Sequence, residues 1–160
     1  MIPWLLILAL QVPVAPVART AIHAPHERIG GTYQSLTAIV GERVRRFDVR
    51  KFENPHTDIP GAQYTVDYGG VIVTFFSHPS SSDILVTAVE VTDMKWLAPL
   101  GVTLGDTRPE IEARVGRPLT SDAATLHYED EEGSDIGPTT MTLSFLDNRL
   151  VRVKWTFPWD

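Results

Sequence analysis

The chain has 160 residues, 43% of them hydrophobic, which is enough to bury a core as one compact domain or two small ones. A formal net charge of −6 argues against a molecule built to wrap nucleic acid. The absence of cysteine leaves no residue for a disulfide framework, a thiolate metal site, a cysteine nucleophile or a lipid-modified N-terminal cysteine.

Residues 4 to 10, Trp4 to Leu10, form an unbroken apolar run followed by a Pro/Ala/Val-rich segment. The run is shorter than the roughly 20 apolar residues a membrane-spanning helix needs, so no integral span is expected. It resembles the hydrophobic centre of a signal peptide, although no Lys or Arg precedes it. Residues 1–24 are therefore expected to be a signal peptide and disordered lead, cut after Ala18, Thr20 or Ala24. Residues 19 to 28, polar and holding Pro25 and two histidines, read as a linker.

A first unit spans 25–93. It opens with a helix over 32 to 40, bounded by Thr32 and Gly41. The stretch 42 to 53 sets Arg43, Arg45, Arg46, Arg50 and Lys51 against Glu42, Asp48 and Glu53, with Phe47, Val49 and Phe52 scattered through them, and predicts a short exposed strand. Strands follow at 62 to 67, 71 to 76 and 84 to 92, with a Gly69-Gly70 turn between the first two. Residues 94–101 bridge to a second unit, 102–160.

That unit also opens with a helix. Thr107 is its N-cap, Glu110 completes a capping box, and Pro109 sits in the first turn, where a missing N–H is tolerated. Ile111 and Val115 make one apolar stripe, Gly116 suits a left-handed cap, and Pro118 blocks continuation. At about two turns the helix cannot persist alone and must pack on something. Strands are expected at 125 to 130, 139 to 145 and 150 to 157, with a tight turn at Asp147-Asn148. In the last strand Val151, Val153, Trp155 and Phe157 read as one face, and Arg152, Lys154 and Thr156 as the other.

The two helices are written alike. At an offset of 75, Gly30 matches Gly105, Thr32 matches Thr107, Leu36 matches Ile111, Ala38 matches Ala113, Val40 matches Val115 and Gly41 matches Gly116. The fold class expected is α+β: two tandem repeats, each a short helix packed on an antiparallel meander. Leu104-Gly105-Asp106-Thr107, Glu110-Ile111, Val115-Gly116-Arg117-Pro118, Tyr128 and Phe145 resemble the motif of the beta-lactamase-inhibitor-protein fold, shared with the small outer-membrane-assembly lipoproteins of the SmpA/OmlA group. The resemblance implies an exported, non-enzymatic protein whose sheet or loops grip another protein. The inhibitor's disulfides and the lipoproteins' anchoring cysteine have no counterpart in this sequence.

Function is expected where the copies diverge. Gly30 to Tyr64 spans 34 positions and Gly105 to Tyr128 only 23, and the excess falls among the arginines. Arg45, Arg46 and Arg50 then form either a basic patch for an acidic partner, a small ligand or an anion, or an edge strand whose charges discourage aggregation. In the 71–76 strand, Val71, Val73 and Phe75 can face the helix, leaving Ile72 and Phe76 to face away and be covered by something. Arg152 and Lys154 lie on the matching face of the second unit. These seven residues are the candidate binding set. Trp96 and Trp155 read as core residues. Glu129, Asp130, Glu131, Glu132 and Asp135 read as a solvated acidic loop without calcium-loop spacing.

No motif points to catalysis, and an enzyme whose site is assembled from loops stands as the second alternative. His26-Glu27 lacks the second zincin histidine, His56 has no visible ligand partners, and Ser77-His78 adjacency is not a catalytic pair. His23 and His127 read as surface residues. No metal, no cofactor and no catalytic residue is expected.

Overall fold

The structure, a computed structural model, describes residues 21–25, 29–41, 43–52, 61–77, 82–97, 102–130 and 137–158, with the side chains of Tyr33 and Phe52 excepted. The apolar run at 4–10, the loop at 54–60, most of the acidic loop, and His26, His56 and His78 lie outside these residues.

Helix α1 (Tyr33–Val40) starts on a reciprocal box in which Ser35 plays the part expected of a glutamate. The Ser35 N–H donates to Thr32 Oγ1 at 3.1 Å, and the Thr32 N–H donates to Ser35 Oγ at 3.2 Å. Four strands follow: β1 (Arg46–Phe52), β2 (Gly61–Asp67), β3 (Val71–Ser77) and β4 (Ile84–Val91). A single turn, α2 (Met94–Leu97), lies where only a bridge was expected.

Helix α3 (Arg108–Val115) is closed by Glu110, whose carboxylate accepts from the N–H and the hydroxyl of Thr107, each at 2.7 Å. It ends on Gly116 at φ 106° and ψ −174° rather than in the left-handed helical region anticipated. That conformation is open essentially to glycine alone. Strands β5 (Thr120–Ser121), β6 (Thr125–Asp130), β7 (Thr139–Leu146) and β8 (Arg149–Thr156) are the last of the described elements. Asp147 and Asn148, at φ 49° and 60°, make the tight turn between β7 and β8.

The eight strands form one antiparallel sheet in the order β1-β2-β3-β4-β8-β7-β6-β5. The architecture is therefore α+β, with few and short helices against a single sheet. One face, called inner here, carries Val66, Val73, Val89, Trp155, Met141, Leu143 and Leu126, all buried. Leu36 of α1, Leu97 of α2, and Ile111 and Val115 of α3 join the same core. Tyr128 crosses from sheet to helix, its hydroxyl donating to the Gly116 carbonyl at 3.0 Å. Burial, with the Glu112 carboxylate adding, pushes its phenol up to about 12, so it stays a neutral donor.

Two expectations are corrected. Residues 21–25 are helical rather than part of a polar linker. Ala21 and Ile22 are buried in the core, and the Ala21 carbonyl accepts from Trp155 Nε1 at 3.0 Å. A polar flank and Pro25 hid this, because the segment is too short to show helical periodicity. The second correction is in β8. A bulge between Ser144 and Phe145 pairs Phe145 with Leu150, so Leu150 is buried and Val151 is 40% exposed. One extra residue reverses the alternation beyond it. Leu150→Ala should therefore cost about 2–5 kcal/mol and Val151→Ala about 0.5 kcal/mol or less, read from urea unfolding. Equal costs would contradict the bulge.

Two carboxyls are held below their ordinary values. Glu110 is lowered chiefly by the Thr107 backbone and then its hydroxyl, and Asp122 chiefly by the Ala124 N–H, then by the Thr125 hydroxyl and N–H. The folded state thus favours both charged forms. Their stabilisation is complete above the reference values of 4.5 and 3.8 and is lost as pH falls through the depressed ones. Glu110→Gln with Asp122→Asn should flatten the acid limb of stability against pH, leaving its shape above neutrality unchanged. An unaltered acid limb would show that these caps do not contribute.

No helix among the described residues is long and apolar enough to cross a membrane.

Candidate functional site

Every described helix that contributes to the core lies against the inner face, so the opposite, outer face is defined here by strand register. Directly paired residues in antiparallel strands share a face. Pairing runs Arg46–Asp67–Ile72–Glu90–Lys154–Thr142–His127 in one row across the sheet. A parallel row runs Asp48–Thr65–Thr74–Ala88–Thr156–Thr140–Glu129, and a third runs Arg50–Gln63–Phe76–Leu85. None of these residues is buried. Strands sit about 4.8 Å apart, so the first row extends roughly 29 Å.

Six of the seven candidates fall on this face. Ile72 and Phe76 are half-buried and Leu85 is 44% exposed, making an apolar stretch in the first half. Arg152 and Lys154 flank Glu90. The Arg152 guanidinium lies 3.7 Å from the Glu90 carboxylate and donates to Ser144 Oγ at 3.4 Å. Arg45 is set apart: it precedes β1 and its stem lies over Gly69, where an added Cβ would meet Arg45 Cδ at 3.2 Å.

The arginines do not converge. Arg46 and Arg50 are four residues apart on one strand, so their Cα atoms are separated by about 13 Å, with Asp48 between them on the same side. An open depression beside Arg50 is lined by Asp48, Gln63 and Thr65, one cation with one carboxylate. The apolar cavity of about 40 Å3 between α1, segment 21–25 and the inner face is lined by Ile39, Val40, Val71, Val89, Trp96 and Trp155. Pockets that take drug-sized ligands measure about 300–1,000 Å3, so this is a packing void rather than a binding cavity.

Two histidines have partners that the sequence did not reveal. His127 joins Thr142 Oγ1 (3.1 Å from Nδ1) to Glu129 Oε1 (2.9 Å from Nε2) on the outer face. Strand spacing was the available signal: His127 and Glu129 are two apart, and Thr142 is on the next strand. A hydroxyl, an imidazole and a carboxylate in line can relay protons. Here they lie on an open sheet face. On the inner side, His23 Nε2 lies 2.9 Å from Asp130 Oδ2. Asp130 ends β6 where the 125–130 strand was expected to end, but it is 6% exposed rather than solvated with the acidic loop. Arg108 has no motif around it that marks a role. Its guanidinium stacks 4.6 Å from the centre of the Phe145 ring and donates to the Thr125 carbonyl at 3.3 Å. Among the described residues no group of three or more His, Cys, Asp or Glu is placed to hold a metal ion.

Comparison of this chain with protein-family models, with curated proteins and with solved structures gave no match in any of the three.

Proposed function

We propose that the chain is an exported, non-enzymatic protein-binding module of the cell envelope, and that the outer face of its sheet is the docking surface. One observation carries this reading. The described helices all serve the inner face, while the outer face carries Ile72 and the exposed Leu85 beside Glu90, Arg152 and Lys154. An apolar centre with a charged rim is the usual make-up of a protein interface. The face mixes carboxylates with cations, which suits a protein partner better than a nucleic acid.

The same proposal includes the tandem arrangement, repeats at 25–93 and 102–160, and with it the likeness to the beta-lactamase-inhibitor-protein fold. Several features support it. The strand order reads as two meanders meeting at β4 and β8. Both helices begin on Thr and end on a glycine of positive φ, Gly41 at 82° and Gly116 at 106°. Each half has a bulge opposite Thr74/Phe75 or Ser144/Phe145. Val66 pairs with Val73 and Leu126 with Leu143, so the counterpart of Tyr128 is Tyr68 rather than Tyr64. The longer first half then goes into its edge strand, seven residues in β1 against two in β5.

Export rests on the apolar run at 4–10. Burial of Ile22 and the Ala21–Trp155 hydrogen bond favour a cut after Ala18 or Thr20 over one after Ala24. A small-ligand or anion module on Arg45, Arg46 and Arg50 finds less support, because those cations are strung along a strand or turned away from it.

The test is a pull-down from an envelope extract with the full chain, followed by titration of the captured protein. Ile72→Asp with Phe76→Asp should weaken binding about 30-fold or more, as at an interface centre. Arg152→Glu with Lys154→Glu should weaken it less and mainly slow association. Full binding by the Ile72→Asp/Phe76→Asp variant would remove the outer face from consideration.

A further inference from the structure

Among the described residues strand β1 is hydrogen-bonded on one side only, to β2, and forms one edge of the sheet. An edge strand presents a row of backbone N–H and C=O groups to any chain that can lie beside it. β1 is long for an edge, seven residues without proline, and residues 43–51 are exposed throughout.

Charge is concentrated there. Arg43, Arg45, Arg46, Arg50 and Lys51 against Asp48 give residues 43–51 a charge of +4, and the flanking Glu42 and Glu53 bring 42–53 to +2, so the rest of a chain of net −6 carries −8. β1 itself, with Arg46, Asp48, Arg50 and Lys51, carries +2, so pairing it with β1 of a second copy would set +2 against +2. The same charge favours an acidic strand.

Register says how such a strand would fit. Phe47 and Val49 pair with Val66 and Tyr64 and share the inner side, while Arg46, Asp48 and Arg50 share the outer side. On the inner side a ladder of rings runs out from the core. Phe75, 3% exposed, stacks on Tyr64 at 5.4 Å, and Tyr64 stacks on Phe47 at 6.1 Å. The ladder ends in water, with Phe47 58% exposed. The next rung would belong to a strand about 4.8 Å further out.

We propose that β1 is a strand-addition site for an extended acidic segment of another protein. Acidic side chains four positions apart meet Arg46 and Arg50, and the apolar residues between them cover Phe47 and Val49. The roughly 13 Å between Arg46 and Arg50 suits an extended strand and is too wide for one compact anion. A neutral residue faces Asp48. Backbone hydrogen bonds hold the segment, and alternating side chains select it.

The probe is a fluorescein-labelled Ser-Glu-Val-Thr-Val-Glu-Ser peptide, capped at both ends, titrated into the full chain by anisotropy. Its pattern is the same in either strand direction. It should bind about tenfold or more tightly than a Ser-Glu-Glu-Thr-Val-Val-Ser control of equal composition and charge. Arg46→Glu with Arg50→Glu should weaken it about tenfold, and Asp48→Lys should not weaken it. N-methylation of one alternating set of peptide amides should abolish binding, and methylation of the other set should spare it. A contact made by charge alone would tolerate both methylated peptides and bind the control equally, and either result overturns the proposal. It is also overturned if the peptide fails to bind, or if sedimentation shows the chain pairing with itself through β1. The Ile72→Asp/Phe76→Asp variant should bind the peptide normally, so the edge and the outer face can fail separately.

Discussion

A chain that begins at Pro25 should be less stable than one that begins at Ala21 by about 3–6 kcal/mol in urea unfolding. Two physical losses set the size. Ile22 is fully buried, and removing such a side chain forfeits about 1.5–3 kcal/mol of transfer free energy even where the site can collapse. Trp155 Nε1, buried against the Ala21 carbonyl, then loses its acceptor, which costs a further 1–3 kcal/mol or so. Asp130 also loses His23. A domain of this kind is stable by only about 5–15 kcal/mol, so the shorter chain is expected to be marginal at 37 °C. Ile22→Ala in the full chain should reproduce part of the loss, about 2–4 kcal/mol. The comparison bears on export, because a signal peptidase cutting after Ala24 would produce the weaker form. A difference below about 1 kcal/mol would show that segment 21–25 is an accessory rather than part of the core.

What the sequence could reveal followed the range of each physical signal. The α3 boundaries are encoded within ten residues by Thr107, Glu110 and Gly116, and the structure has the helix there. The alternation of Val71, Val73 and Phe75 against Ile72 and Phe76 is likewise local, and burial follows it. The bulge in β8 is not local. It depends on how β7 and β8 slide past each other, and Leu150 and Val151 are both apolar, so alternation alone chose the wrong one. The row from Arg46 to His127 is longer-ranged still. It exists only once β4 is paired with β8, a contact between residues more than 60 positions apart. Helix α1 shows a smaller version of the same limit. Its box closes through Ser35, which resembles the glutamate version only in what its oxygen does.

Trp155 carries the second large expected effect, because three parts of the chain meet on it. It is 1% exposed in β8, opposite Val89 of β4 and Met141 of β7, and its indole N–H holds the Ala21 carbonyl. Trp155→Ala should cost about 3–5 kcal/mol, from lost area and from the cavity added beside the existing void. Trp155→Phe keeps much of the apolar contact but deletes the donor, and separates the two contributions. If the hydrogen bond to Ala21 matters as argued, removing residues 21–24 from the Trp155→Phe protein should cost less than removing them from the wild type. The expected coupling in that double-mutant cycle is about 1–3 kcal/mol, within the range for residues in direct contact. A coupling near zero, with both single changes still costly, would mean that Ile22 burial alone anchors the segment. The indole N–H would then add nothing to the joint between the N-terminal turn and the seam of the sheet.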